Sequence, residues 1–150
     1  MSLRLTLLRH AHAGDAPPGG EDADRPLNPQ GREAARHLGA TLGDALPAPD
    51  RLRVSPSVRT LETARLVCGA AFPAVPAVAA TSLYLASARA LLAEIAATPD
   101  TCHHLMIVGH NPGLSELWSM VGEDAGFGGL APCEWRSREL DARRWSDVAR

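Results

Sequence analysis

Three short apolar runs in this 150-residue chain, residues 3–8, 52–54 and 105–108, each stop at polar residues and are followed by helical spacing of apolar positions. A strand that leads into a helix returns to its sheet through a crossover. Successive strands then lie parallel, and a parallel sheet needs helices on both faces. The expected fold class is therefore α/β, a three-layer sandwich with a mostly parallel central sheet flanked by helices.

Local signals place the helices. Asn28 as N-cap and Pro29 at the first helical position open one, with Ala35, Leu38, Leu42 and Leu46 as its apolar stripe and Pro47 and Pro49 beyond its end. Val58, Leu61, Ala64 and Cys68 outline a second helix after Ser55-Pro56, and Ser87 caps a third that carries Leu91, Leu92 and Ile95. Asn111-Pro112-Gly113 opens a fourth, with Leu114, Leu117, Trp118 and Val121. Residues 77–80 suggest a short strand and residues 133–140 a final edge strand. Residues 13–27, rich in Gly, Pro and acid, and residues 122–129 read as loops. With no repeat or linker, residues 1–150 are expected to form one domain.

Composition removes several classes of function. Hydrophobic residues make up 45% and charged residues 21% of the chain, a balance unlike disordered or collagen-like sequences. No run approaches the roughly 20 apolar residues of a membrane span. Residues 5–8 are too short for the roughly 7–15-residue core of a secretion signal. Fifteen basic residues, all Arg, face 17 acidic ones for a net charge of −2. Neither nucleic acid nor a membrane surface is thus an expected partner. The cysteines, Cys68, Cys102 and Cys133, are odd in number and form no CxxC pair. They suggest no disulfide framework or structural zinc, and they fit a reducing cytoplasm.

In an open parallel sheet, ligands bind beyond the carboxyl ends of the strands. Arg9-His10, Ser55 with Arg59 one helical turn later, and Gly109-His110 stand at those ends and are expected to converge on one rim. Arg59 falls in the first turn of a helix, where a cation opposes the macrodipole unless an anion answers it. Two Arg with two His suit a phosphoryl group: guanidinium forks grip its oxygens, one neutral imidazole attacks phosphorus, and the other donates to the developing charge. A divalent metal is disfavoured beside Arg9, and no cofactor is expected.

Leu8-Arg9-His10-Ala11-His12-Ala13 resembles the RHG-type signature of the histidine phosphatase superfamily, in the RHA form of its short SixA-like phosphohistidine phosphatases. The resemblance continues through Asp24-Arg25-Pro26-Leu27-Asn28-Pro29-Gln30-Gly31-Arg32, Ser55-Pro56-Ser57-Val58-Arg59-Thr60-Leu61-Glu62-Thr63-Ala64, Leu83-Tyr84 and Val108-Gly109-His110-Asn111-Pro112-Gly113. It spans residues 3 to about 120 in the family's order. It implies a phosphoglycerate mutase-like fold and a phosphorylated nucleophile at His10, with Arg9, Arg59 and His110 holding the transferred group. Asn111 would add its backbone N–H, and Arg25 would line the entrance.

One departure bears on chemistry. Many larger relatives supply a carboxylate acid where this chain reads Thr81-Ser82-Leu83-Tyr84, and Glu94 is read as lying on a solvated helix face. Asp15, Glu21, Asp22 and Asp24 in the loop are the available substitutes, read by default as solvated. His12 and His37 are read as solvated, His103 and His104 as surface residues, Trp118 as core, and Trp135 and Trp145 as core or edge anchors.

The function expected is metal-independent hydrolysis of phosphohistidine, or of a small phosphate monoester, through phosphohistidine at His10. The partner is a phosphorylated protein or small phosphorylated compound, met in an open cleft because the chain lacks long insertions. The alternatives are a phosphoglycerate mutase-like phosphotransferase, which the missing acid disfavours, and a non-catalytic phospho-residue binding module, against which both His and both Arg argue.

Overall fold

The computed structural model describes residues 2–122 and 126–148, so residues 123–125 of the expected loop at 122–129 lie outside the described residues, as do residues 1, 149 and 150. The elements run β1 (Leu3–Arg9), α1 (Pro29–Ala45), β2 (Arg51–Val54), α2 (Val58–Ala71), β3 (Ala77–Ala79), α3 (Ala88–Ala96), β4 (His104–Gly109), α4 (Gly113–Val121) and β5 (Trp135–Leu140). Short 3-10 turns occupy Asp22–Asp24, Thr81–Leu83 and Trp145–Asp147. The strands form one sheet in the order β3-β2-β4-β1-β5, parallel throughout except for β5, which runs antiparallel to β1 at an edge.

Side chains that alternate along a strand build two cores from one sheet. Leu3, Leu5 and Leu7 of β1 with Leu105 and Ile107 of β4 pack beneath α3 and α4, against Leu91, Ile95, Leu114, Leu117 and Trp118. Trp145 is fully buried there and donates its indole N–H to the Cys102 carbonyl at 2.7 Å. Leu8, Met106, Val108, Leu52 and Val54 face the other way, onto Ala35 and Leu42 of α1 and Ala64, Val67 and Cys68 of α2. The expected three layers are present, and β4 is buried along its whole length between them.

The caps fall where the side chains demand. Asn28 accepts from the Gly31 N–H at 2.7 Å, Ser57 from the Thr60 N–H at 3.3 Å, and Ser87 from the Ala90 N–H at 3.1 Å. Three readings need correction. Val58 and Leu61 stand exposed on α2, whose buried face carries Arg59, Thr60 and Thr63 instead. Polar groups can be buried there because each finds a partner: Thr60 Oγ1 donates to the Ser55 carbonyl at 2.6 Å and Thr63 Oγ1 to the Arg59 carbonyl at 2.7 Å. His104 is not a surface residue; it is buried in β4 with its ring nitrogen 2.7 Å from Thr6 Oγ1. Glu94 is half-buried, paired with Arg53 at 3.3 Å and with the Ser82 hydroxyl, and ties α3 to the 81–83 turn.

Gly31 lets α1 approach the loop that follows β1. A Cβ built there would lie 2.1 Å from the His12 carbonyl oxygen, an atom fixed by accepting from the Asn28 N–H at 3.0 Å. Gly31→Ala is therefore expected to destabilise the fold by about 1–3 kcal/mol, the usual cost of overpacking, despite alanine's better helix propensity. Urea unfolding measures it; an unchanged midpoint would show that the loop yields freely.

Candidate active site

β1, β2 and β4 finish side by side on the same edge of the sheet, with Arg9 paired to Gly109 and Val54 to Val108. The chain leaving each strand drops its first polar residues onto that rim. A cleft of about 360 Å³ opens there, lined by Arg9, His10, His12, Ala13, Asp22, Arg25, Arg59, Leu85, His110, Asn111 and Pro132. All six residues singled out as site candidates, His10, Arg9, Arg59, His110, Arg25 and Asn111, line it. His12 is exposed, as expected, but its side of the loop forms part of the wall.

The two imidazoles meet edge to face, with centroids 5.4 Å apart and planes at 62°. His10 Nδ1–H donates to the Ala11 carbonyl at 2.7 Å. A carbonyl can only accept, so the proton is on Nδ1 and the lone pair is on Nε2. His110 has the opposite tautomer. Arg59 Nη2, which can only donate, sits 3.3 Å from its Nδ1, so the Nε2–H donates to Ser55 Oγ at 2.7 Å. Tyr84 stands perpendicular to the His110 ring at 5.5 Å.

The surroundings keep both rings neutral. Burial, reinforced by the charges of Arg59, Arg9 and Arg25 against the opposing bond to Ala11, pulls His10 down from the usual 6.5 to about 4. Burial and then Arg59 pull His110 down to about 3. Nucleophilic attack needs the free lone pair, so the acid limb of kcat/KM, corrected for substrate ionisation, is expected near pH 4 rather than 6.5. A limb at 6.5 in a pH-rate profile would mean that His10 is not held neutral.

The cations are positioned by backbone and loop. Arg9 Nη1 donates to the Leu130 carbonyl at 3.0 Å, while its buried Nε has no protein partner. Burial lowers its pKa. Arg59 is only 3% exposed and donates to the Asp22 carbonyl oxygen at 2.7 Å and to Asp22 Oδ2 at 2.9 Å. Arg25 reaches the Gly14 carbonyl at 3.0 Å and Asp22 Oδ1 at 3.3 Å. The Asn111 side chain is tied to its neighbours, donating to the Leu130 carbonyl at 2.8 Å and accepting from the Ser115 hydroxyl at 2.7 Å.

Among the four loop acids, Asp22 alone lines the cleft. Asp24 instead accepts from the Glu21 N–H at 2.9 Å. The Tyr84 hydroxyl donates to Asp22, and together with Arg59 it holds that carboxyl near a pKa of about 2. Thr63 is a contributor that the sequence does not flag, and the contacts of Ser55 with His110 and of Tyr84 with Asp22 are equally absent from its pattern. Ser55 stands at a strand end, and a hydroxyl aimed back at a neighbouring strand's histidine leaves no periodic trace. Thr63 Oγ1 accepts from the Ala11 N–H at 3.0 Å while donating to the Arg59 carbonyl one turn back, tying the loop after β1 to the first turns of α2.

Among the described residues, no three His, Cys, Asp or Glu side chains are grouped to hold a metal ion. The donor set of the cleft, with three guanidinium groups around two imidazoles, suits an anion. No helix among the described residues is long and apolar enough to cross a membrane. Burial raises the thiol of Cys68 to about 12 and that of Cys133 to about 11, and it also raises Cys102, which fits packing rather than chemistry.

Comparison with known proteins gives consistent results. The sequence profile of the family described as histidine phosphatase superfamily (branch 1) matches residues 5–80. The uncharacterized protein Rv1276c of Mycobacterium tuberculosis (strain ATCC 25618 / H37Rv) is 34% identical over 119 residues, 79% of this chain and 72% of that protein. A structure from Agrobacterium tumefaciens, provisionally assigned as the phosphohistidine phosphatase SixA, superposes with a TM-score of 0.81 at 31% identity, covering 93% of this chain and 92% of the other. A similarly assigned SixA structure from Nakamurella multipartitia gives 0.77 at 29% identity, covering 99% and 90%. The three-layer arrangement is thus that of the phosphoglycerate mutase-like fold.

Proposed function

The chain belongs to the histidine phosphatase superfamily, and from that premise we propose that it is a metal-independent phosphatase acting on phosphohistidine through a covalent intermediate on His10. The single observation that carries this reading is the unpaired Nε2 of a neutral His10 facing a cleft walled by Arg9, Arg59 and His110.

His10 Nε2 attacks phosphorus in line. The new N–P bond forms as the bond to the leaving group breaks, and its electron pair departs with the leaving atom. Positive charge develops on the His10 ring, where the Nδ1–H bonded to the Ala11 carbonyl keeps the ring oriented. Arg9 and Arg59, both in the cleft wall, bind the equatorial oxygens. An incoming dianion reverses the local potential that holds His110 neutral. It favours the imidazolium, whose Nδ1–H then also donates to the transferred group. Water next attacks phosphorus, the N–P bond breaks with its electron pair returning to Nε2, and inorganic phosphate leaves. Arg25 and the Asn111 backbone frame the entrance.

The SixA names of the structural relatives support phosphohistidine as the substrate class. A phosphorylated side chain on a protein surface can reach His10 from the open side of the cleft. The test is turnover of a panel of phosphohistidine peptide, sugar phosphates and 3-phosphoglycerate in excess EDTA. Undiminished release of phosphate from the peptide supports the reading. Activity lost in EDTA and restored by a divalent metal overturns it, and phosphoryl transfer between glycerate positions makes the protein a mutase.

A further inference from the structure

We propose that Asp22 is an internal ligand of Arg59: an incoming phosphoryl group must displace it, and on returning it displaces the product phosphate. The inference rests on the reading of the cleft as a phosphoryl site. Arg59 has the strongest claim of any cation here to bind the transferred group, since it is buried and aimed at His110. Both of its terminal nitrogens are nevertheless engaged with one residue, Nη1 with the Asp22 carbonyl oxygen and Nη2 with Asp22 Oδ2. A phosphoryl group that grips the guanidinium end-on as a fork needs those same donors, and the remaining Nη2–H is already directed at His110 Nδ1. The two anions cannot share them without close repulsion.

Asp22 is built to compete for that place. Its carboxylate draws on three separate segments, accepting from Arg59 of α2, from Tyr84 after the 81–83 turn, and from Arg25 of its own loop at 3.3 Å. The loop is clamped at its base. Ala13 bridges Leu27, the Gly14 N–H donates to the Pro26 carbonyl at 2.8 Å, and the Leu27 N–H donates to Glu62 Oε1 at 3.0 Å. Glu62 also pairs with Arg32 at 2.6 Å. At the tip, by contrast, the Gly20 N–H to Pro17 carbonyl and Glu21 N–H to Asp24 bonds are internal, and the Asp22 side chain is 44% exposed. The arm can therefore release Arg59 without unfastening its base.

The exchange discriminates by charge. A carboxylate ligand would trade one carboxylate for another and gain nothing at Arg59. A phosphoryl dianion brings a second charge and a third oxygen, which also reach Arg9. Once hydrolysis has released the phosphate, it faces a tethered competitor that never leaves the site, so product departs sooner than from an unopposed pair of arginines.

Calorimetric titration with inorganic phosphate tests this on the wild type and on Asp22→Asn, Tyr84→Phe and Arg59→Ala. Asparagine keeps the shape and the acceptor oxygen while removing the charge, and the exposed position tolerates the change. Asp22→Asn is expected to tighten phosphate about tenfold, equivalent to about 1.4 kcal/mol, with a matching fall in the product-inhibition constant. Tyr84→Phe, which loosens the competitor, is expected to shift affinity the same way by a smaller factor. Equal or weaker phosphate binding by Asp22→Asn overturns the proposal, and if Arg59→Ala abolishes binding meanwhile, the phosphoryl-site reading survives without it. No phosphate binding by any variant, wild type included, overturns both. A drop in kcat for Asp22→Asn that steepens with leaving-group basicity, with phosphate affinity unchanged, makes Asp22 a proton donor and overturns the displacement idea.

Discussion

His10→Ala is expected to lower turnover on the order of a millionfold, the scale on which removal of a covalent nucleophile is felt, and to abolish an acid-labile phosphoenzyme that the wild type forms. The other imidazole facing His10 is not free to attack, since the His110 Nδ1 already accepts from Arg59. The same substitution should make the fold more stable in acid. The pKa of His10 falls from 6.5 in the unfolded chain to about 4 in the folded one. Between those values the unfolded chain binds a proton that the folded chain does not, so stability declines as pH falls from about 6.5 to 4. Removing His10 relieves that loss, by about 3 kcal/mol at pH 4. Rapid-quench trapping of labelled enzyme and urea titrations at pH 7 and 4 check the two effects; retained turnover in the variant would remove His10 from the mechanism.

Phosphohistidine and aryl phosphates are expected to exceed alkyl phosphates such as phosphoserine by about 10²–10⁴ in kcat/KM, the factor a positioned proton donor normally supplies. An alkoxide must be protonated as it leaves, whereas a protonated imidazole departs neutral and an aryl oxide is stable enough to leave with less help. The 81–84 segment carries no acid, and Asp24 is committed to the Glu21 N–H. Asp22 reaches the cleft but is held near a pKa of about 2 by Tyr84 and Arg59, so it has no proton to give in the resting site. Parallel kcat/KM measurements on a phosphohistidine peptide, an aryl phosphate and a phosphoserine peptide decide the matter. Efficient phosphoserine hydrolysis would mean that a carboxyl in the cleft does become protonated.

Much of the architecture was legible because it follows from short-range rules. The Asn28-Pro29 start of α1, the apolar run 105–108 of β4 and the polar residues at three strand ends each depend only on neighbours in sequence. The edge position of β5 followed from its loose alternation. Reading failed where a long-range partner changed a residue's environment. His104 is acceptable inside the sheet only because Thr6, 98 positions away, bonds to its ring. Val58 and Leu61 look like core by spacing, but the buried face of α2 is reserved for the polar groups that carry Arg59. The prominence of Asp22 over Asp15 and Asp24 was equally hidden. It depends on how a 3-10 turn at Asp22–Asp24 aims one of several similar acids.

The sheet separates two cores, and the cleft sits on the line where they meet. His10 and Arg59 are carried by the layer of α1 and α2, while His110, Tyr84 and Leu85 are carried by the layer of α3 and α4. The spacing of His10 and His110 is set first by the sheet, where β1 pairs with β4 and the His10 N–H donates to the Gly109 carbonyl at 3.1 Å, and then across the two layers by the Ser55–His110, Arg59–His110 and Asp22–Tyr84 bonds. A cavity opened deep under either helix pair, at Val67 or at Leu117, is expected to let that layer relax against the sheet and lower turnover without touching a residue that meets the phosphate. Turnover is then expected to respond to core substitutions in either layer before unfolding does, because in-line attack needs the reacting atoms within roughly 3–3.5 Å.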